Sequence, residues 1–323
     1  MPAGTCRPLR PGVVTRWVSR APSPPERRAR AERFDDVLDR LSPAERFNVR
    51  FVRASHERPW MDRPLRWCQR RLGATWIHYG TRHLLHVEGQ QRLPPPDAAR
   101  SVIWASNHRS FFDMYVANAW LFRQGYHQRV LYPVRSSFFY DRWVGWAVNG
   151  LMSFWSMYPP VFRDRKRASL NHTAFSELAR AVREGRSVGI HPEGTRNKGD
   201  DPYTFLPPQS GVGRLVHLAR APVVPFFVNG LGNDLVRQLR GNFDRSGPPV
   251  VIVFGAPLEL DDLYEQPGTG RTYRAVAERI MARIAELGRE EQAIRARLQD
   301  PPDAPGSIGD RGAASPPGAP GPA

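Results

Sequence analysis

The stretch Ser101-Val102-Ile103-Trp104-Ala105-Ser106-Asn107-His108-Arg109-Ser110-Phe111-Phe112-Asp113-Met114-Tyr115-Val116 joins an apolar run to the start of a helical pattern through a short polar turn. Residues 101–105 predict a short buried strand, and the segment from Asp113 to Phe122 predicts a helix with an acidic start. His108 and Asp113 are five positions apart, about 140° around a continuous helix, so no single helical face holds both. A loop must bring them together. His108 is then expected at the strand's exit and Asp113 in the next helix's first turn. In that position the carboxylate holds one imidazole nitrogen and leaves the other free to take a proton from an attacking hydroxyl. The same residues taken alone also fit a helix-capping Asp113 beside an ordinary loop histidine.

Working outward, a second strand exit carries His191-Pro192-Glu193-Gly194-Thr195-Arg196, directly after Ser187-Val188-Gly189-Ile190. Between the two lies Val161-Phe162-Arg163-Asp164-Arg165, and downstream stands Pro222-Val223-Val224-Pro225-Phe226. As an ordered set over roughly 60–260, these blocks resemble the glycerolipid acyltransferases of the lysophosphatidic acid acyltransferase type. That family is marked by His-x4-Asp, a Phe-x-x-Arg block, Glu-Gly-Thr-Arg and a Pro-Val-Val-Pro strand. Two departures are visible. Pro159, followed by Pro160, stands where the family usually has glycine six residues before the second-block arginine, and Asn197 stands where it often has serine.

The resemblance implies an O-acyltransferase that moves a fatty acyl group from acyl-CoA or acyl carrier protein to a lysophospholipid hydroxyl. The acceptor it implies first is 1-acylglycerol-3-phosphate, giving phosphatidic acid in phospholipid biosynthesis. The implied catalytic residues are His108 as general base and Asp113 as its orienter. Arg165, Glu193, Gly194, Thr195 and Arg196 are the implied acceptor-binding residues. The arginines would hold a phosphate, and Glu193 a hydroxyl or a neighbouring arginine. Asn107 and Arg109 flank the base and are candidate oxyanion donors. No cofactor and no metal is expected, the thioester being a substrate. The alternatives are another lipid or glycerol-3-phosphate as acceptor, or a catalytically silent basic relative that binds membrane or nucleic acid.

Other chemistries lack their residues. Gly189-x4-Gly194-Thr195 has phosphate-loop spacing without the lysine. His191-x-Glu193 imitates a zinc deaminase, but Cys6 and Cys68 are the only cysteines and neither follows it.

The remaining pattern predicts an α/β fold with a mixed sheet flanked by helices and an N-terminal helical lead-in. The strands expected after the first are 130–134, 187–190, 222–228 and 249–254, with a helix over 168–184. The resemblance implies the glycerol-3-phosphate acyltransferase-like fold, in agreement. Four regions are expected: a basic, disordered arm over 1–43, the acyltransferase domain over 44–265, a helix over 266–299, and a disordered Pro/Gly/Ala tail over 300–323. The 323 residues, 41% of them hydrophobic, suffice for one sizeable core.

Formal net charge is +16, and of 47 Lys and Arg residues all but Lys166 and Lys198 are arginine. Anionic partners are expected, and with the resemblance they are an anionic phospholipid surface and substrate phosphates rather than nucleic acid. Residues 44–87 interleave Phe47, Trp60, Trp67 and Trp76 with arginines as a helical pair, interrupted at Pro59 and Pro64. The uncharged run 143–162 has the length of a membrane span, but its Gly, Asn, Ser and Pro content makes it a buried or interfacial segment. Phe138, Phe139, Trp146, Phe154 and Trp155 are placed along an acyl-chain path or in the core. The expected location is peripheral or monotopic, on the cytoplasmic face of a membrane.

Overall fold

A computed structural model describes residues 38–97, 99, 101–140, 143–162, 164, 167 and 169–299, apart from the side chains of Ser137 and Phe138. Helices α1 (Pro43–Glu57), α2 (Pro59–Cys68) and α3 (Ala74–Thr81), the last two joined by a π turn over Gln69–Gly73, lead into strand β1 (Leu85–Glu88). Strand β2 (Ile103–Ser106) and helix α4 (Asp113–Arg123) follow, then β3 (Val130–Leu131), β4 (Val134–Arg135), α5 (Ser136–Phe139), α6 (Trp143–Ser153) and β5 (Pro160–Val161). The remaining elements are α7 (Leu170–Arg183), β6 (Ser187–Ile190), α8 (Ser210–Ala219), β7 (Val223–Asn229), α9 (Leu235–Phe243), β8 (Val250–Phe254), α10 (Asp261–Tyr264) and α11 (Gly270–Gln299).

Six strands form one mixed sheet in the order β1-β8-β7-β2-β6-β3, parallel throughout except where β7 meets β8. Burial on both faces explains the unbroken apolar strands. Along β2, Ile103 and Ala105 enter one core cluster and Trp104 the other; along β7, Val223 and Phe227 face Val224, Phe226 and Val228 in the same alternation. One cluster is closed by residues of α7, α8 and α11, and the other by residues of α3 and α4. Gly288 lies inside an unbroken α11 against Phe227: a Cβ there would come within 3.2 Å of that ring. The glycine is a contact point between helix and sheet.

Several expectations are corrected at the element level. The arm assigned to 1–43 gives way to packed chain at its end, because Leu38 and Leu41 join the core and Ser42 caps α1 in a reciprocal box with Glu45. Residues 1–37 and the tail 300–323 lie outside the described residues. Pro59 does start a new helix, where its missing N–H is harmless, but Pro64 sits inside α2 without ending it. Tertiary contacts override the proline: Asp62, one half-turn earlier, is held by Arg66, Arg129 and Arg186. Residues 85–88, read as part of the helical lead-in, form the edge strand β1 paired with β8. The single strand expected over 130–134 divides, β3 joining the main sheet and β4 pairing with β5 in a separate two-stranded sheet. The run 143–162 is likewise broken into α6, a bend at Phe154 and Trp155 with positive φ, and β5. Among the described residues no helix is long and apolar enough to cross a membrane.

Candidate active site

Register builds the site. Strands β2 and β6 run parallel with Ala105 opposite Ile190, and β7 flanks β2 on its other side with Ser106 opposite Phe226. The residues leaving β2 and β6 therefore emerge side by side at the carboxyl end of the sheet, where open α/β sheets place their ligands. Asn107 continues the ladder with its side chain: Nδ2 donates to the Val228 carbonyl and Oδ1 accepts the Val228 amide, both at 2.8 Å. That double bond across the strands anchors the turn that follows.

One atom organises the turn. Asp113 Oδ2 accepts the amide of Arg109 at 2.7 Å, the amide of Ser110 at 2.8 Å and His108 Nδ1 at 3.2 Å. The carboxylate thus faces back onto the loop rather than forward onto the free amides of α4, so the helix-capping reading of Asp113 is not what the fold uses. His108 Nδ1 carries the proton it donates, and Nε2 is left as the basic nitrogen. His108 keeps 20% of its side-chain surface while Asp113 keeps 1%. Burial pushes the Asp113 carboxyl up to about 6, against the lowering effect of its hydrogen bonds and of nearby Arg109.

The second block meets the first along the same register. Glu193 is buried, with Oε1 accepting the His108 amide and Oε2 the Leu206 amide, each at 2.9 Å. Its two oxygens thus hold two backbone donors that the sequence did not indicate. Burial holds this carboxyl above its ordinary value. Asn197, also buried, donates its amide to the His108 carbonyl at 2.8 Å, so His108 is gripped at both backbone groups. Gly194 has φ +67°, and a Cβ there would lie 2.8 Å from Gln209 Cγ. The turn needs glycine for both reasons. Thr195 is partly exposed beside it. Exposed Arg196 donates to Asn233 Oδ1 at 2.8 Å, the atom that also accepts the Phe111 amide at 3.0 Å.

The two candidate oxyanion donors are committed elsewhere. Asn107 is used in the ladder, and Arg109 binds the carbonyls of Gly199 at 2.6 Å and Asp201 at 3.2 Å. Arg165 lies outside the described residues. Pro159 follows a cis Tyr158–Pro159 bond, and its carbonyl accepts the Val134 amide at 3.2 Å as β5 begins. The proline pair therefore belongs to the small sheet. Among the described residues no group of three or more His, Cys, Asp or Glu is placed to hold a metal ion.

Sequence reasoning missed His191, set aside as an imitation of a zinc motif. Its ring lies on that of His108, centroids 3.8 Å apart and planes 6° from parallel. The available signal was the pair of strand exits, whose parallel register puts these two positions together.

Residues 84–229 match the family model described as Acyltransferase. Over that segment the chain is similar to the acyltransferase family. The matched span runs from just before β1 to the end of β7 and contains both histidines, Asp113 and the Glu193–Arg196 block. It is 25% identical over 203 residues to the 1-acyl-sn-glycerol-3-phosphate acyltransferase of Bacillus subtilis (strain 168), covering 62% of this chain and 86% of that protein. It is 26% identical over 177 residues to the chloroplastic 1-acyl-sn-glycerol-3-phosphate acyltransferase BAT2 of Brassica napus, covering 54% of this chain and 46% of that relative's length. The crystal structure of the 1-acyl-sn-glycerophosphate (LPA) acyltransferase PlsC from Thermotoga maritima aligns at 18% identity and a TM-score of 0.43, over 74% of this chain and 88% of that one.

Proposed function

We propose that this protein moves a fatty acyl group from acyl-CoA or acyl carrier protein to the hydroxyl of a lysophospholipid. The foremost acceptor is 1-acylglycerol-3-phosphate, with phosphatidic acid as product. The observation that carries this reading is His108 Nδ1 on Asp113 Oδ2 at 3.2 Å, in a loop gripped by Glu193 and Asn197. In the proposed step His108 Nε2 takes the hydroxyl proton as the acceptor oxygen attacks the thioester carbonyl. The tetrahedral adduct then collapses, the C–S bond breaks, and the proton passes from His108 to the leaving sulfur. Asp113 stabilises the imidazolium between the two transfers, and no covalent acyl-enzyme is needed.

Arg196 and Arg165 are assigned to the acceptor phosphate, and the Gly194–Thr195 turn to close backbone approach. Glu193 is assigned to holding the His108 loop. For the acyl chain, the support is an apolar groove beside the catalytic turn, lined by Trp76, Ile77, Phe112, Tyr115, Leu231 and Leu235. Trp146 and Trp155 pack edge to face with Phe51, Trp155 lying against the core, whereas Phe139 stacks on Phe111 of the catalytic loop at 6.4 Å. Peripheral or monotopic binding to the cytoplasmic face of an anionic membrane is part of the proposal. Its support is the exposure of Phe47, Trp60, Trp67, Leu72 and Trp143 on helices that pack on one another or on the π turn, with Arg50, Arg63 and Arg71 exposed among them.

An acceptor panel tests the substrate. Purified protein with oleoyl-CoA or oleoyl-acyl carrier protein is expected to acylate 1-acylglycerol-3-phosphate well above monoacylglycerol and glycerol-3-phosphate. Equal use of the phosphate-free lipid would remove the role given to Arg196 and Arg165, and preference for glycerol-3-phosphate would replace the acceptor.

A further inference from the structure

Two imidazoles stacked face to face at 3.8 Å need an account, because a stack of this kind repels itself once both rings carry charge. The surroundings of His191 decide its protonation. Its Nδ1 lies 2.9 Å from the Asn107 carbonyl and 3.2 Å from the Ser106 carbonyl. Carbonyl oxygens only accept, so Nδ1 carries a proton and donates it, while Ser106 Oγ at 3.1 Å accepts or closes the same small network. Burial first, and the neighbouring His108 second, hold the His191 pKa down to about 3. His191 is thus a neutral ring, pinned at one edge to the backbone that leads into His108.

Rotation of the His108 ring sets where Nε2 points. Its amide is tied to Glu193 and its carbonyl to Asn197, and the Nδ1–Asp113 bond at 3.2 Å leaves tilt about that line to be set by the ring's neighbours. A flat surface against one face of the imidazole restricts that rotation. It also offers a neutral π-face to the imidazolium that forms when His108 accepts a proton.

Resting on the acyl-transfer reading above, we propose that His191 is a positioning residue for the base: a neutral plate that holds His108 in the plane where Nδ1 meets Asp113, and that receives its charged form without repulsion. His191 is a poor second base, since burial and the neighbouring His108 hold its pKa down to about 3. Nor does it activate Ser106 as a nucleophile, because Ser106 is fully buried.

Three substitutions test this. His191→Ala removes the plate, His191→Leu fills the space without a flat face, and His191→Phe keeps the flat face without the ring nitrogen. Misplacement of the base is expected to lower kcat about 10- to 100-fold in the Ala and Leu proteins, with KM for thioester and acceptor within about twofold. His191→Phe is expected to restore kcat to within about threefold of the parent. Long-range proton–nitrogen spectra supply a readout independent of turnover: His108 is expected as the Nδ1–H tautomer in the parent and Phe proteins and as a mixture in the Ala and Leu proteins. The Leu protein keeps the test open if the Ala protein fails to fold. Parent-like kcat and tautomer in the Leu protein would overturn the proposal, as would a Phe protein no better than Leu. If the parent consumes no thioester, the functional reading fails instead, and the tautomer comparison still decides the role of His191.

Discussion

Asp113 gathers three donors on one oxygen and leaves Oδ1 without a hydrogen-bond partner, an arrangement that makes the His108–Asp113 contact sensitive to pH. The ionised carboxylate accepts the Nδ1 proton more strongly than the neutral acid does, and burial has moved its titration up to about 6. The value of kcat/KM should therefore rise with pH through about 6, measurable in a pH series under subsaturating acceptor. Asp113→Asn should lower kcat on the order of 10⁴-fold by favouring the wrong imidazole tautomer. Stability carries a second signature. His191 binds its proton far more weakly folded than unfolded, its pKa falling from 6.5 to about 3, so the native state loses stability as pH falls through that window. Asp113 acts in the opposite sense between 3.8 and about 6, where the native state binds the extra proton and loses stability as pH rises. Urea midpoints should therefore drop less between pH 7 and pH 4 in His191→Phe than in the parent. At this scale the sequence spacing made His108 and Asp113 legible, because a strand-to-helix turn leaves few other ways to seat them. It did not reveal the backbone partners of Glu193: which donors a carboxylate meets depends on the loop at Leu206, thirteen residues away.

Among the elements, β2, β6, β7 and β8 were legible because burial on both faces writes them as short apolar runs between turn residues. The same rule failed where pairing rather than composition decides. Edge strand β1 is made of Leu85-His86-Val87-Glu88, whose pattern does not separate it from the helix before it, and β3 and β4 part company only because Pro160 and Val161 offer a second partner. Glu193 is the element-level clamp, joining the exit of β2 to the loop leading into α8. Glu193→Gln replaces one accepting oxygen by a donor facing a backbone amide, and should cost about 1–3 kcal/mol in urea unfolding. It should lower kcat more than it raises acceptor KM. A selective rise in acceptor KM would instead return Glu193 to the acceptor-binding role that the sequence implied.

Over the whole molecule, the arginine-rich charge and the exposure of Trp60 on α2 (69%) and Trp143 on α6 (80%) support the proposed binding to a membrane surface. Flotation with vesicles containing anionic phospholipid should recover the protein, and neutral vesicles or high salt should recover less. Trp60→Ser combined with Trp143→Ser should weaken flotation while leaving turnover on micellar acceptor near the parent value. The central claim is the chemistry at His108. Release of free CoA from oleoyl-CoA in the presence of 1-acylglycerol-3-phosphate should proceed in the parent and fall about 10²- to 10⁴-fold in a folded His108→Ala protein. Equal thiol release by the two proteins would contradict the account.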